Sequence, residues 1–592
     1  MASTGSSGEE RFLSDEHGQR VVLGFEKLWQ CGQMCDTVLL AEGKPFHVHR
    51  SFLAACSLYF HAMFTEDFQE SKQHEVELKG VTAPGLHTLL QYAYTGQVVI
   101  TPSNLQNTLE AAAHLQFTDV LEFCSQYIRD RLTIDNCLEF LNMAEMFELS
   151  TAQVDIKKFI LENFVDVAQN ENFLDISLDL LCELLMDDRL KADSELEVFK
   201  VVLQWLESGG GERMPYAKKV LELIRYGLMN AEEMVTVYSN HVMMTEHCQS
   251  VLHAALNYHM RLFAQPIIDI PMARMRAYTD SLVIFGAGKT NNALCRNILA
   301  TRLDTEKLQS IQTLSSIKNP RYFSAIAVMN NFLFVIGGQV AMAGDGTHAT
   351  NTAFRYNARD GIWLQISSMT VPRTYFALVP VEDGLVAVAG KHNRMALSSV
   401  EKYKFQTNDW TQVASLPNTL FSHAGCSYKN KVYVCGGCPG ENFTNQVHCY
   451  NSDRDGWQRC TPMIHPRGYH VMQAFQDKII VCAGNNNAGS RADVLDVEAY
   501  DVETGQWSLL SPASHGQSEA PAILWQSRLF ILGGYSWNQH SFQDIIQSYN
   551  LEEDKWEVMD LRLPEPMTGV MACHIQLPQR LYEQCASQNN RD

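Results

Sequence analysis

The sequence predicts a multidomain chain, with an α+β domain followed by an all-α region and then an all-β propeller of six blades. Four observations carry this. In the C-terminal half, short apolar runs end in glycine at Gly288, Gly338, Gly390, Gly437, Gly484 and Gly534, spaced 50, 52, 47, 47 and 50 residues apart. Downstream of each of the last five, a Tyr is followed seven residues later by a Trp: Tyr356 and Trp363, Tyr403 and Trp410, Tyr450 and Trp457, Tyr500 and Trp507, Tyr549 and Trp556. Between residues 134 and 265 apolar positions recur at three and four, the spacing of stacked helices. Near the N-terminus, "TVLLAEGKPFHVHR" suits a hairpin turning at Gly43, and the segments after it have helical periodicity.

Composition narrows the function classes. The 592 residues are 46% hydrophobic and 19% charged, which is ordinary folded protein. The opening "MASTGSSGEERFLSDEHGQ" has no apolar run suited to a signal peptide, and no later stretch reaches about 18 uninterrupted apolar residues. A soluble, intracellular protein is expected, with its 16 scattered cysteines reduced and "NFT" at Asn442 a loop rather than a glycosylation site. The net charge of -21 is uneven. Residues 1–268 hold 19 Lys and Arg against 38 Asp and Glu, and the remainder 27 against 29. This supports two functional halves, and the acidic one matches a basic protein surface rather than nucleic acid; no membrane partner is expected.

Taken in order, residues 1–20 are expected to be a flexible N-terminus. Val21, Val22, Phe25, Leu28 and Trp29 form one apolar stripe of a helix. The hairpin and helices run to residue 132, and the all-α region occupies 133–265, with "ESGGGERMP" an interhelix loop. Residues 266–280 link to a propeller over 281–578, and a tail covers 579–592. Each repeat reads as strand, glycine turn, loop, Tyr strand, tight turn and Trp strand. Four short strands in roughly 50 residues is the kelch blade. The first unit lacks the Tyr and Trp, and "TGVMACHIQL" at 568–577 returns to complete it and close the ring.

The internal alignment also sorts the chemistry. Cys435 and Cys438 in "VYVCGGCPG" have C-x-x-C spacing, but Cys435 aligns with Ile336, Val388, Cys482 and Leu532, a buried strand position. No second C-x-x-C completes a zinc site, although Cys438 alone could remain an exposed, oxidisable thiol. "GAGKTNN" at 286–292 lacks the phosphate-loop pattern and is a strand ending. Seventeen residues before the second glycine, Pro-Arg recurs at Arg321, Arg373 and Arg467, where the other two full units have Leu420 and Gln517. These positions are expected on one face of the ring, joined by the post-glycine loops with Tyr535, Trp537, His540 and Phe542. Arginines interleaved with aromatics suit a peptide bearing carboxylates and an apolar anchor. The substrate-binding set expected is Arg321, Tyr322, Arg373, Tyr375, Phe421, His423, Arg467, Tyr469, Tyr535 and Trp537. The alternative for individual arginines is the capping of local turns.

"CDTVLLAEGKPFHVHRSFLAACSLYFHAMFTEDFQESKQHEVEL", residues 35–78, resembles a BTB domain in Asp36, His49-Arg50, "LAA", Ser57, Tyr59-Phe60 and Met63-Phe64. "NCLEFLNMAE" and the helical segments after it resemble a BACK domain. In this order with kelch blades, the chain is identified as a member of the BTB-BACK-kelch family. The resemblance implies a non-catalytic substrate adaptor for cullin-3 RING ubiquitin ligases, cytoplasmic, with nuclear or cytoskeletal sites open through substrate choice. It implies homodimerisation through a helix bearing Val21, Phe25 and Leu28. It also implies cullin-3 contact through Tyr59, Phe60, Met63, Phe68 and Glu70, the last two in a hydrophobic-x-acidic motif. No metal or cofactor is expected. Three rival readings stand beside it: a dimeric scaffold binding actin or other filaments, a copper oxidase drawing on His423 and His470, and a transcriptional repressor, for which no Cys2His2 spacing exists.

Overall fold

An amphipathic helix, α1 (His17–Gln30), opens the fold with one side turned inward. The Phe25 ring lies 4.8 Å from that of Phe52, and Trp29 stacks on Tyr94 at 4.6 Å, while Val21, Val22 and Leu23 stay exposed. The computed structural model describes residues 14, 16–65, 73–286, 288–289, 297–303, 312–316, 321–341, 346–487, 490–579 and 581. They fall into two units, residues 1–184 with 189–191, and residues 185–188 with 192–592.

In the first unit β1 (Thr37–Ala41) and β2 (Lys44–Val48) form an antiparallel hairpin, and β3 (Glu75–Glu77) pairs parallel to β1. The two turn residues, Glu42 and Gly43, have φ of 50° and 76°, the doubly positive geometry that a tight hairpin needs and glycine adopts freely. Asp36 accepts from the backbone N–H of Arg50 at 2.9 Å, satisfying the start of α2 (Arg50–Cys56). His49 is buried with Nδ1 2.9 Å from the Tyr94 hydroxyl and Nε2 3.0 Å from the Gln33 carbonyl. Three helices, α4 (Ala83–Thr95), α5 (Leu105–His114) and α6 (Thr118–Asp130), follow α3 (Leu58–Thr65), and Leu39, Leu53, Phe60, Leu89 and Leu109 form a fully buried core.

The second unit contains the later helices and the propeller. Helix Glu195–Ser208 starts at Ser194, whose hydroxyl accepts from Glu197 N, and Ala231–Tyr238 starts with a reciprocal box between Asn230 and Glu233. Residues 266–280, expected as a linker, are anchored by the buried Pro266, Ala273, Met275 and Arg276. Arg276 is buried, pairs with Glu195 at 2.6 Å and donates to the carbonyls of Leu185, Asp187 and Leu223. Arg355 and Arg359 reach from the propeller to the Leu262 carbonyl and the Tyr258 hydroxyl, and Asn330 reaches the Pro266 carbonyl. One end of the ring is thereby engaged by helices of its own unit.

Six four-stranded antiparallel sheets make the ring. Blades 2 to 6 occupy 325–366, 377–413, 424–460, 471–510 and 522–562. Blade 1 is composite, because Met571–Pro578 pairs along its whole length with Tyr278–Phe285, beside Asn297–Arg302 and Gln312–Ser316. The ring therefore closes with strands from both ends of the propeller segment. Tyr and Trp lie opposite each other on neighbouring strands, with ring centroids 4.7–5.3 Å apart. Trp410, Trp457, Trp507 and Trp556 each donate from Nε1 to a carbonyl of the preceding blade, those of Ser367, Ala414, Thr461 and Ser511, at 2.7–2.9 Å. Between blades 3 and 4, Val379, Val386, Val432 and Val434 interlock, each contributing about 1.5–3 kcal/mol by leaving water.

Candidate functional site

The free end of the propeller is built by the glycine turns. At Gly338 and Gly437 φ is 85°, and a Cβ would lie 2.7 Å from the carbonyl oxygen of Tyr322 or Phe421. Only glycine lets the chain pass so close. The residue after each turn then bridges back to the entry of its own blade, in the pairs Tyr322 with Gln339, Thr374 with Lys391, Phe421 with Cys438, Gly468 with Asn485 and Ser518 with Tyr535. Post-glycine loops and the Pro-Arg positions thus meet at one end, as the repeat spacing implies.

The arginines do not line that end. Arg373 and Arg467 are 0% exposed. Arg373 donates to the Ala389 and Ser399 carbonyls at 2.8 and 2.9 Å and pairs with Glu401 at 2.5 Å. Arg467 donates to the Ala483 and Asp496 carbonyls at 3.2 and 2.9 Å and pairs with Glu498 at 2.6 Å. Both carboxylates also accept backbone N–H groups, from Val371 and Ile464 among others. Blade 6 repeats the arrangement without charge: Gln517 donates to the Gly533 carbonyl at 2.7 Å, and Gln547 donates to Gln517 at 2.5 Å. In blade 2 the half-buried Arg321 donates to Thr352 and lies 5.3 Å over the Phe354 ring. The partner always sits two residues before the repeat Tyr, at Phe354, Glu401, Glu498 and Gln547. That coincidence was readable in the sequence and explains the arginines as internal braces. Expecting them to face a substrate was wrong for Arg373 and Arg467, because each must satisfy carbonyls left open where the strand ends.

Two residues beyond the four braces, and beyond Leu420 and Met567 at the same repeat position, six residues encircle the propeller axis: Phe323, Tyr375, Ser422, Tyr469, Glu519 and Gly569, all with φ between 52° and 63°. Backbone N–H groups link five of them in series, Ser422 to the Tyr375 carbonyl, Tyr469 to Ser422, Glu519 to Tyr469 and Gly569 to Glu519, at 2.9–3.2 Å. The innermost strands begin just after them and enclose a channel of about 620 Å³. Aromatic rings crowd its mouth. Phe323 lies 4.4 Å from Tyr375, and Tyr469 makes edge contacts with Tyr375 at 5.9 Å and with Phe443 at 6.0 Å. Glu519 accepts from the Thr568 hydroxyl at 2.9 Å. Burial raises its pKa, opposed by that hydrogen bond and by the more distant Arg491. Burial pushes the Tyr469 hydroxyl up to about 12, and the Glu519 carboxylate adds to the rise at both Tyr469 and Tyr375.

The remaining expected residues divide. Tyr322 is buried, and Phe421 is half-buried beneath Lys391, whose ammonium lies 4.8 Å over its ring. Tyr535 and Trp537 are half-buried at the rim, 5.0 Å apart, with Arg491 4.5 Å over the Trp537 ring. His423 and His470 line the channel, buried, and burial pushes His423 down to about 3, so it is neutral at physiological pH. Among the described residues no group of three His, Cys, Asp or Glu side chains is placed to hold a metal ion. Cys438 is buried, with its thiol raised by burial and 3.0 Å from the Gly440 carbonyl, which corrects the expectation of exposure. Glu519, Phe323 and Phe443 were not anticipated. The first two occupy the same repeat position as Tyr375 and Tyr469, which internal alignment offers.

In the first unit Phe60 is 0% exposed and stacked on Phe64, so it is core rather than a contact residue. Tyr59 and Met63 are half-buried on α3, and Phe68 and Glu70 lie outside the described residues. Val21 is exposed on α1, while Phe25 and Leu28 are half-buried. No helix among the described residues is long and apolar enough to cross a membrane.

Comparison with known proteins agrees with this architecture. Family models match for the BTB/POZ domain over residues 25–132, for BTB And C-terminal Kelch over 137–239, and for the Attractin/LZTR1 beta-propeller over 282–521. The chain is 33% identical over 574 residues to Kelch-like protein 26 of Danio rerio, spanning 96% of this chain and 94% of the relative. It is 32% identical over 576 residues to Kelch-like protein 36 of Bos taurus, spanning 96% and 93%. To Kelch-like protein 15 of Homo sapiens it is 27% identical over 596 residues, spanning 96% and 97%. This chain belongs to the kelch-like family of BTB-BACK-kelch proteins.

Proposed function

We propose that the chain is a substrate-recognition adaptor of a cullin-3 RING ubiquitin ligase. Its BTB and BACK regions hold cullin-3, α1 pairs two copies, and the free end of the propeller captures a protein for ubiquitination. Family membership across nearly the whole length is the observation that carries this reading. The exposed Val21, Val22 and Leu23 of α1 support the pairing, since an apolar helix face left in water favours a second copy. The chain itself performs no covalent chemistry. It raises the concentration of a substrate lysine beside the ubiquitin-loaded enzyme, and pairing adds avidity without new contacts. Its place of action is the cytoplasm, with nucleus or cytoskeleton reached through the substrate.

Calorimetry of the full chain against the N-terminal domain of cullin-3 tests it. Nanomolar to low-micromolar affinity, roughly -8 to -12 kcal/mol, is expected. Phe68→Ala with Glu70→Ala should abolish binding while leaving a folded dimer. No binding by the folded wild type would put a filament-binding scaffold first.

A further inference from the structure

We infer that the axial mouth of the propeller accepts a basic side chain, lysine or arginine, from the captured protein. This rests on the adaptor reading for why a protein docks there, but the chemistry comes from the mouth itself. Of the three arginines that suggested an acidic ligand, two are consumed inside the blades, Arg373 by Glu401 and Arg467 by Glu498, and the third, Arg321, donates to Thr352 and lies over the Phe354 ring. The charge left at the axis is negative. Among the described residues no Lys, Arg or His nitrogen lies within ion-pair distance of Glu519, and Thr568 supplies only a neutral hydroxyl. Arg491, the cation that acts on it from farther away, is already held over Trp537.

A carboxylate drawn out of water without a cation carries an uncompensated desolvation cost, and a cation from outside offsets it. The walls match the same guest. Tyr375 and Tyr469 are close enough for the Glu519 carboxylate to raise both hydroxyls, Phe323 packs on Tyr375, and cations bind the faces of such rings. A divalent metal ion fits less well, because it takes six or more oxygen ligands and the mouth offers one carboxylate. Position also favours a side chain on a docking protein. The mouth lies at the end of the ring opposite the one engaged by helices of its own unit.

The test uses the full-length chain on arrays of peptides with random flanks and a fixed central residue: Arg, Lys, norleucine, Gln or Glu. Arg- and Lys-centred pools should be retained roughly tenfold over norleucine. Glu519→Gln, which keeps the shape and the Thr568 partner, should erase that preference without lowering the melting temperature. Tyr375→Phe, which keeps the π-face, should preserve it. Equal or better retention of Glu- or norleucine-centred pools overturns the inference, as does a preference unchanged in Glu519→Gln, or no retention of any pool by folded wild type. Cullin-3 binding measured on the same preparations is independent. Its absence sinks the adaptor reading alone, and its presence with an indifferent mouth sinks this inference alone.

Discussion

Blades 5 and 6 solve one problem in two ways. Both must satisfy carbonyls exposed where an inner strand ends at the glycine turn. Blade 5 does so with Arg467 braced by Glu498, and blade 6 with Gln517 braced by Gln547. The guanidinium and the amide occupy the same place and donate to equivalent carbonyls, Ala483 and Asp496 in one, Gly533 and Ile545 in the other. The required feature is therefore a planar donor with an anchored acceptor, and charge is one means of supplying it. A buried ion pair gains strong attraction but gives up much hydration, so the neutral version can be equally stable.

Breaking the brace should have the largest effect. Arg467→Ala leaves Glu498 buried without its partner and should cost about 3–5 kcal/mol, read as a lower denaturation midpoint. An unchanged midpoint would mean water or rearrangement replaces the guanidinium. Next in size, Trp457→Phe keeps an aromatic ring, though a smaller one, but removes the donor to Ala414, and should cost at least about 1 kcal/mol in the same assay. The double change Arg467→Gln with Glu498→Gln transplants the blade 6 brace into blade 5, and should return stability to within about 1–2 kcal/mol of wild type. A loss as large as that of Arg467→Ala would show the two braces are not interchangeable.

The smallest effect concerns the carboxylate that has no such partner. Burial raises the Glu519 pKa above its ordinary 4.5, so its ionised form disfavours the folded state. Any stability tied to the raised value is present at low pH and is lost as pH rises through the folded pKa. Glu519→Gln should therefore melt slightly higher than wild type at pH 7, with the gap closing as pH falls toward 4.5. A gap that widens on acidification would reverse the assignment.

Periodicity made the propeller legible. Glycine spacing placed the strand ends, Tyr and Trp marked the outer strands, and the leftover apolar segment at 568–577 identified the closing strand. Pro-Arg spacing located the right end of the ring but could not say whether Arg373 points outward or under the turn. That depends on unsatisfied carbonyls, which belong to three-dimensional geometry. The clue was internal, since Glu stands two residues before Tyr403 and Tyr500 in the units whose arginines are fully buried. Likewise Phe60 sits in a recognisable family pattern, yet a pattern fixes position along α3 and not which side meets the core. Tyr375 and Tyr469 were expected in the substrate-binding set. The reason they converge is the positive φ shared by all six axial residues.

The seam in blade 1 has a consequence during synthesis. Tyr278–Phe285 leaves the ribosome long before Met571–Pro578, its partner. At about 5–20 residues per second the delay is roughly 15–60 s. Throughout that interval the nascent propeller carries an open strand edge, the feature most prone to pair with a neighbouring chain. Residues 1–184, already emerged, can fold meanwhile. A premature stop within the propeller but before residue 571 would release a chain with a complete N-terminal unit and a propeller that never closes.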